Sequence, residues 1–347
     1  MRSRRELRGG YSFLTIQTDK INSSSEQTVG SNRSLERFER VGGVHFPPFL
    51  FRVLPTSMKD ELRNLRDKIL VRYAVRSLSC RREYEQSPED AEASASLSVV
   101  VPVHDSPEVT SRCLKSLEKY APKAEIILVD DGSKLEETRA LLSECAVRNG
   151  WTLIRHEKSL GHSRACATGS NAATKPYLCL LNSDTVVTPW CWRPIVQALE
   201  NDPTIGAAGP SSSNGGCQTL TVANIACDYL SDSNICEYAR RLFAARSGNQ
   251  LTDIPWLCGF ALFTRRSFWE QIGGFDIDLV DYGNDYEISR RILEAGYRLA
   301  WVRNAYIHHF GHASYRKTIG MRSIESRSQA AHQYIKQKYG SDEVQAP

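Results

Sequence analysis

Three aspartates stand where apolar runs end. Ile126-Ile127-Leu128-Val129 leads into Asp130-Asp131-Gly132-Ser133, and Tyr177-Leu178-Cys179-Leu180-Leu181 leads into Asn182-Ser183-Asp184-Thr185. Each run reads as a buried parallel strand that ends in carboxylate. In an open α/β sheet, ligands bind outside the carboxyl ends of the strands. Asp130, Asp131 and Asp184 are therefore candidates for one shared site. Clustered carboxylates there suit a divalent cation and, through it, a diphosphate. The competing reading is that Asp-Gly and Ser-Asp are ordinary strand-to-turn punctuation.

Two further groups carry chemistry. Asp281-Tyr282-Gly283-Asn284-Asp285-Tyr286-Glu287 precedes the helix-like run Ile288-Ser289-Arg290-Arg291-Ile292-Leu293. Asp285 at such a helix start could be a general base facing a cleft, with Asp281 and Glu287 weaker candidates. It could equally be a first-turn acid that complements the helix dipole. Ile307-His308-His309-Phe310-Gly311-His312 follows a strand-like run. Its histidines could supply a metal ligand beside a carboxylate from elsewhere, or form a solvated, hydrogen-bonded cluster. Their spacing does not match a helical zinc motif.

These groups need elements to hold them. Leu97-Ser98-Val99-Val100-Val101-Pro102-Val103 reads as a strand, and residues 107–120 as a helix with Pro107 in its first turn. A strand at 126–129, a helix near 135–149, a strand at 151–155, a helix near 163–173 and a strand at 177–181 follow. Strands alternating with helices of this length imply a parallel, doubly wound sheet. After Pro189 the alternation fades through a Gly/Ser/Asn-rich stretch, 206–216. A second ordered block spans 254–315, with a strand at 260–263, a helix at 286–295 and a strand at 299–302. Residues 317–347 read as a polar, helical tail.

The N-terminal part differs in character. Residues 1–57 mix Arg, Ser, Gly and Asn with no lasting period and read as a largely disordered extension. In residues 58–85, Leu62, Leu65, Ile69 and Tyr73 recur at helical spacing beside Arg63, Arg66, Arg72 and Arg76. This basic amphipathic helix fits either peripheral contact with a membrane surface or docking on the main domain. Residues 86–96 read as a linker. The 347-residue chain carries a net charge of +4, 41% hydrophobic and 24% charged residues. Residues 1–96 hold 17 Lys/Arg against 13 Asp/Glu, whereas the remainder holds 27 of each. The main body is thus no basic nucleic-acid binder. The ten cysteines include no CxxC pair, which argues against zinc and for a reducing compartment. No apolar stretch approaches the roughly 18–20 residues of a membrane span. No apolar core for a signal peptide follows the basic N-terminus. The expectation is a cytoplasmic protein, with peripheral membrane contact through residues 58–85 as the alternative to docking of that helix on the main domain.

The order of motifs resembles the inverting family 2 glycosyltransferases of GT-A fold, over residues 97–316. Val99-Val100-Val101-Pro102-Val103-His104 resembles the family's opening strand, and Val129-Asp130-Asp131-Gly132-Ser133 its uridine-side acidic motif. Leu180-Leu181-Asn182-Ser183-Asp184-Thr185 resembles the variant DxD of the rhamnosyltransferase-like branch. Gly273-Gly274-Phe275-Asp276 and Asn284-Asp285-Tyr286 resemble the acceptor-side segment, and His309-Phe310-Gly311-His312-Ala313-Ser314 the late His-x-Gly-x-x-Ser element.

The resemblance implies a Rossmann-like α/β domain with a mostly parallel sheet and helices on both faces. It implies single-displacement transfer from a UDP-, dTDP- or GDP-linked sugar to a saccharide, lipid-linked or protein acceptor, as in polysaccharide biosynthesis. By position, Asp131 with Asp130 would hydrogen-bond the donor's base or ribose, and Pro102 and His104 would line the nucleotide pocket. Asp184 would bind Mn²⁺ or Mg²⁺, with His309, or in its place His308, completing the contacts. Asp285 would be the general base. Trp256, Gly259, Phe260 and Asn284 would flank the donor sugar and acceptor. Three positions depart from the family pattern. Asn182 removes one charge from the DxD, Asn284 replaces the acid expected before Asp285, and Ala167 stands where Asn is common. Two other readings stay open. One is a catalytically decayed, nucleotide-sugar-binding protein, which these departures favour. The other is a nucleotidyltransferase, which would want a Gly-rich, basic loop where Val103-His104-Asp105-Ser106-Pro107 stands.

Overall fold

The structure is a computed structural model that describes residues 84–220, 231–245, 250–311 and 320–340. The extension 1–57 and nearly all of the amphipathic segment 58–85 lie outside these residues.

Strands β1 (Leu97–Val103), β2 (Glu125–Asp130), β3 (Thr152–Arg155) and β4 (Tyr177–Leu181) form the parallel half of one sheet, in the order β3-β2-β1-β4. β1 is buried along its whole length, which is why it is a continuous apolar run rather than an alternating one. The sheet continues through β8 (Ala261–Arg265), β6 (Ile205–Ser211) and β9 (Arg298–His309) to β5 (Thr185–Val187), with β7 (Leu251–Asp253) also on β9. β8, β5 and β7 run against the other six strands. The fold is therefore α/β with a mostly parallel sheet.

Helices cover both faces. Val99, Val101 and Leu128 point into a core with Leu114 and Leu117 of α2 (Pro107–Tyr120), Leu142 of α3 (Glu136–Asn149) and Trp192 and Ile195 of α5 (Trp192–Asn201). Val100, Ile127 and Leu180 point to the opposite face. There they meet Ala165 and Cys166 of α4 (His162–Ala172), Phe268 and Trp269 of α7 (Arg266–Ile272), and Ile288 and Ile292 of α8 (Asn284–Glu294). The alternation of neighbouring valines between the two cores follows from the two-residue period of a strand. A smaller cluster seats α6 (Asp232–Ala245) on β5 and β9 through Ile235, Tyr238 and Tyr306.

Register decides what meets at the carboxyl edge. Val103 pairs with Asp130 and Val100 with Leu180, so β1, β2 and β4 end side by side. Antiparallel pairing of Leu181 with Ala261 brings the start of β8 to the same edge. Pairing of Thr185 with His309 brings the end of β9 there as well.

Three sequence expectations change. The stretch 86–96 is not a linker but carries α1 (Pro88–Ser94), capped by Ser87, whose hydroxyl accepts from Asp90 N. Asp90 is buried, and its Oδ1 accepts from Trp192 N at 3.0 Å and Arg193 N at 2.8 Å. It thereby caps α5, whose own N-cap residue Cys191 makes no side-chain cap. The fading after Pro189 is also only apparent, because α5 and β6 lie there. The strand expected at 299–302 is much longer and delivers His309. A tail helix does form, as α9 (Gly320–Tyr339). Asp90→Ala would leave the two α5 amides unsatisfied. We expect a loss of about 1–3 kcal/mol in urea unfolding, largely restored by Asp90→Asn.

Candidate active site

The carboxyl edge opens into a cavity of about 260 Å³ whose wall includes Pro102, His104, Asp131, Asp184, Asp285 and His309. Gly259, Phe260, Asn182 and Asn284 also line it. Most of the residues singled out in the sequence thus converge on one space.

Asp131 is the most heavily bonded of them. Oδ1 accepts from His156 Nδ1 (2.7 Å) and Leu160 N (2.8 Å), and Oδ2 from Ser159 Oγ (2.8 Å) and Gly161 N (2.9 Å). Burial alone would push its pKa up, but these donors outweigh it and hold the carboxyl below the ordinary aspartate value. The four acceptor sites of a carboxylate are then all used, and the β3–α4 loop is tied to the end of β2. Asp130 does not reach the cavity wall. Consecutive strand residues point to opposite faces, and Asp130 accepts from Ser133 N (2.9 Å) and pairs with Arg155 Nε (3.2 Å).

Asp184 and His309 form a pair, Oδ1 to Nε2 at 3.2 Å. His309 Nδ1 donates to the Asn214 carbonyl at 2.5 Å, which fixes the ring and aims Nε2 at Asp184. Burial tends to lower the His309 pKa, but the facing Asp184 carboxylate and the Asn214 carbonyl raise it above the ordinary histidine value. An imidazole oriented by a carbonyl beside a carboxylate is a recurrent arrangement of metal ligands. The two donor atoms therefore suit one divalent cation. Among the described residues no group of three or more His, Cys, Asp or Glu gathers for a metal, so further ligands would have to come from substrate or water. His308, the fallback ligand, points to the other face of β9. It is buried there with its Nδ1 on Tyr306 Oη at 2.9 Å and its ring against Phe310. His312 lies outside the described residues.

Asp285 begins α8. Its Oδ2 accepts from Gly259 N at 3.0 Å and its Oδ1 from Tyr286 N at 2.9 Å. Burial raises its pKa above the ordinary value, only partly countered by these amides and the nearby Trp256 indole. Trp256 touches Asp285 but is not part of the cavity wall. Gly259 lies so close that a Cβ there would sit 3.1 Å from Asp285 Cβ. The next residue, Phe260, stacks on His309 with centroids 5.2 Å apart and planes 15° apart. Asn284 braces the start of α8, with Nδ2 donating to Ser163 Oγ at 3.2 Å and Oδ1 accepting from Asp285 N at 2.9 Å.

Several wall residues escape a reading of the sequence. His162, at the start of α4, is held by burial below the ordinary histidine pKa despite Asp281, Asp184 and Asp131 nearby. Asp281 accepts from His162 N at 3.3 Å and from Arg327 of α9. α9 is anchored beside the cavity by Tyr334 and Lys338 on Asp276 and by Tyr339 on Glu287. Only contacts in space mark Arg327 and Asn214; neither sits in a local motif.

Residues 98–273 match the family model described as glycosyl transferase family 2. An N-acetylglucosaminyltransferase of Rhizobium leguminosarum bv. viciae is 27% identical over 225 residues, 60% of this chain and 50% of that protein. A pre-mycofactocin glycosyltransferase of Mycobacterium tuberculosis is 24% identical over 290 residues, 82% of this chain and 58% of that protein. The chain thus spans little more than half the length of these relatives. A solved structure of GalNAc-T7 with UDP, GalNAc and Mn²⁺ aligns over 61% of this chain and 43% of that one, at TM-score 0.48 and 22% identity. Among the described residues no helix is long and apolar enough to cross a membrane.

The four donors on Asp131 carry a pH signature. A depressed carboxyl stabilises the fold fully above the ordinary value of 3.8, and this contribution fades as pH falls through the lower folded value. We expect Asp131→Asn to lower Tm at pH 7, with the gap to wild type narrowing below about pH 4.

Proposed function

The chain belongs to glycosyl transferase family 2, and on that premise we propose an inverting transfer of a sugar from a nucleotide-diphosphate donor to a hydroxyl acceptor, assisted by Mn²⁺ or Mg²⁺. The observation that carries the proposal is the Gly259–Phe260 step. Its amide meets Asp285 and its ring meets His309, so a candidate base and a candidate metal pair are held from adjacent residues of one cavity wall.

Asp285 has the properties a general base needs. It is half-buried at the cavity wall, its pKa is raised above the ordinary aspartate value, and among the described residues no Lys, Arg or His pairs with it. Taking the acceptor proton as the hydroxyl oxygen attacks the anomeric carbon converts a weak nucleophile into a competent one in a single displacement. Asp184 and His309 would hold the cation. A divalent ion there supplies Lewis acidity to the departing diphosphate. The imidazole inclines the pair toward Mn²⁺ over Mg²⁺, which favours oxygen ligands. Asn182, in place of the first DxD acid, makes a structural contribution through its backbone. Its N donates to the Phe260 carbonyl at 2.9 Å, and its carbonyl accepts from Thr185 Oγ1 at 2.8 Å.

A test separates chemistry from binding. Asp285→Asn should cut transfer from a nucleotide sugar by about 10²–10⁴-fold, while calorimetric affinity for the nucleoside diphosphate stays within a few-fold. Unchanged turnover would remove Asp285 from the reaction.

A further inference from the structure

The cavity contains a hydrogen-bonding atom that the fold orients but does not use. His104, at the end of β1, places Nδ1 2.8 Å from the backbone carbonyl of Asp131. A carbonyl can only accept, so Nδ1 carries the proton, and Nε2 of the neutral ring must be an acceptor. Nε2 makes no hydrogen bond among the described residues. Asp105 Oδ2 stands 3.9 Å away, and the side chain is 33% exposed. The ring opens on the cavity beside Pro102 and Val103, which offer an apolar surface against which a planar base can lie.

Asp131, by contrast, has no acceptor site left, since four protein donors occupy both oxygens. A base or ribose donor could reach it only by breaking a bond that holds the β3–α4 loop. The two residues therefore divide the work: Asp131 builds the pocket floor and fixes the His104 tautomer through its carbonyl, and His104 meets the ligand.

We infer that His104 Nε2 is the nucleobase-reading atom of this site, accepting a hydrogen bond from a ring N–H. The proposal rests on the nucleotide-sugar reading above and narrows it. Uracil and thymine carry such an N–H at N3 and guanine at N1, whereas cytosine and adenine present a lone pair at the corresponding positions. A lone pair facing Nε2 leaves two acceptors opposed and both unsatisfied, which sites built to receive an N–H reject. His104 is thus a specificity-determining residue, not a catalytic one.

Calorimetric titration of the full chain with UDP and CDP, in the presence of Mn²⁺, tests this directly, because the two share ribose and diphosphate. Wild type should bind UDP about ten- to a hundredfold more tightly than CDP, the range for a hydrogen bond lost with its partner left unsatisfied. His104→Phe should bring the two affinities within about threefold of each other, a change that a purely structural role would not produce, since it would weaken both alike. His104→Gln, which keeps an acceptor, should restore part of the preference. Equal binding of UDP and CDP by wild type, or an undiminished preference in a folded His104→Phe protein, overturns the assignment. Binding of neither nucleotide, nor of GDP, would instead overturn the nucleotide-sugar reading itself.

Discussion

The backbone at the mouth of β8 is the constraint on which the site depends. Three interactions meet there within two residues. Gly259 N donates to Asp285, the Phe260 ring stacks on His309, and the Phe260 carbonyl accepts from Asn182 N. This short span joins the end of β4, the end of β9 and the start of α8. It admits little variation, since a side chain at 259 would press on Asp285. Behind it, Ser289 Oγ accepts from Leu257 N at 3.1 Å and Cys258 N donates to the buried Gln218 at 2.9 Å. The loop that positions Asp285 and His309 is itself held on both sides.

The cavity gathers four carboxylates, and each is accommodated differently. Asp131 is saturated by neutral donors and His156, Asp184 faces His309, and Asp281 faces Arg327. Asp285 faces no cation among the described residues; backbone amides and the Trp256 indole only partly offset its desolvation, and its proton affinity rises accordingly. Two titratable groups pushed in opposite directions, as Asp131 and Asp285 are, make the usual mark of divided roles in a site. The compensating charges go to binding and architecture, and Asp285 stays desolvated.

How much of this is legible in the sequence depends on where the information lies. The parallel half of the sheet can be read because β1, β2 and β4 are largely apolar runs that lead into polar residues. β6 cannot, because Gly206, Ala207 and Ala208 lack the branched side chains that mark a strand. Packing explains the small residues: a Cβ at Gly206 would lie 2.6 Å from Ile292. Asp285, Asp184 and His309 are visible as motif residues, and register brings them together. Asp130 reads as a ligand residue because sequence adjacency hides the alternation that turns it away. The roles of Asp90, Asn214 and Arg327 rest on partners 46 to 103 positions away in the chain. Such contacts leave no local pattern and become visible only when the chain is folded.

The central claim is that the protein supplies only part of a metal's coordination and that the donor supplies the rest. Titration of Mn²⁺ into the full chain, followed by electron paramagnetic resonance with and without a nucleoside diphosphate, measures this coupling. The account predicts weak binding of Mn²⁺ alone and an affinity raised about tenfold or more by the nucleotide, with the gain lost in His309→Ala. Mn²⁺ binding that is equally tight without nucleotide, or a gain that survives loss of His309, would contradict it.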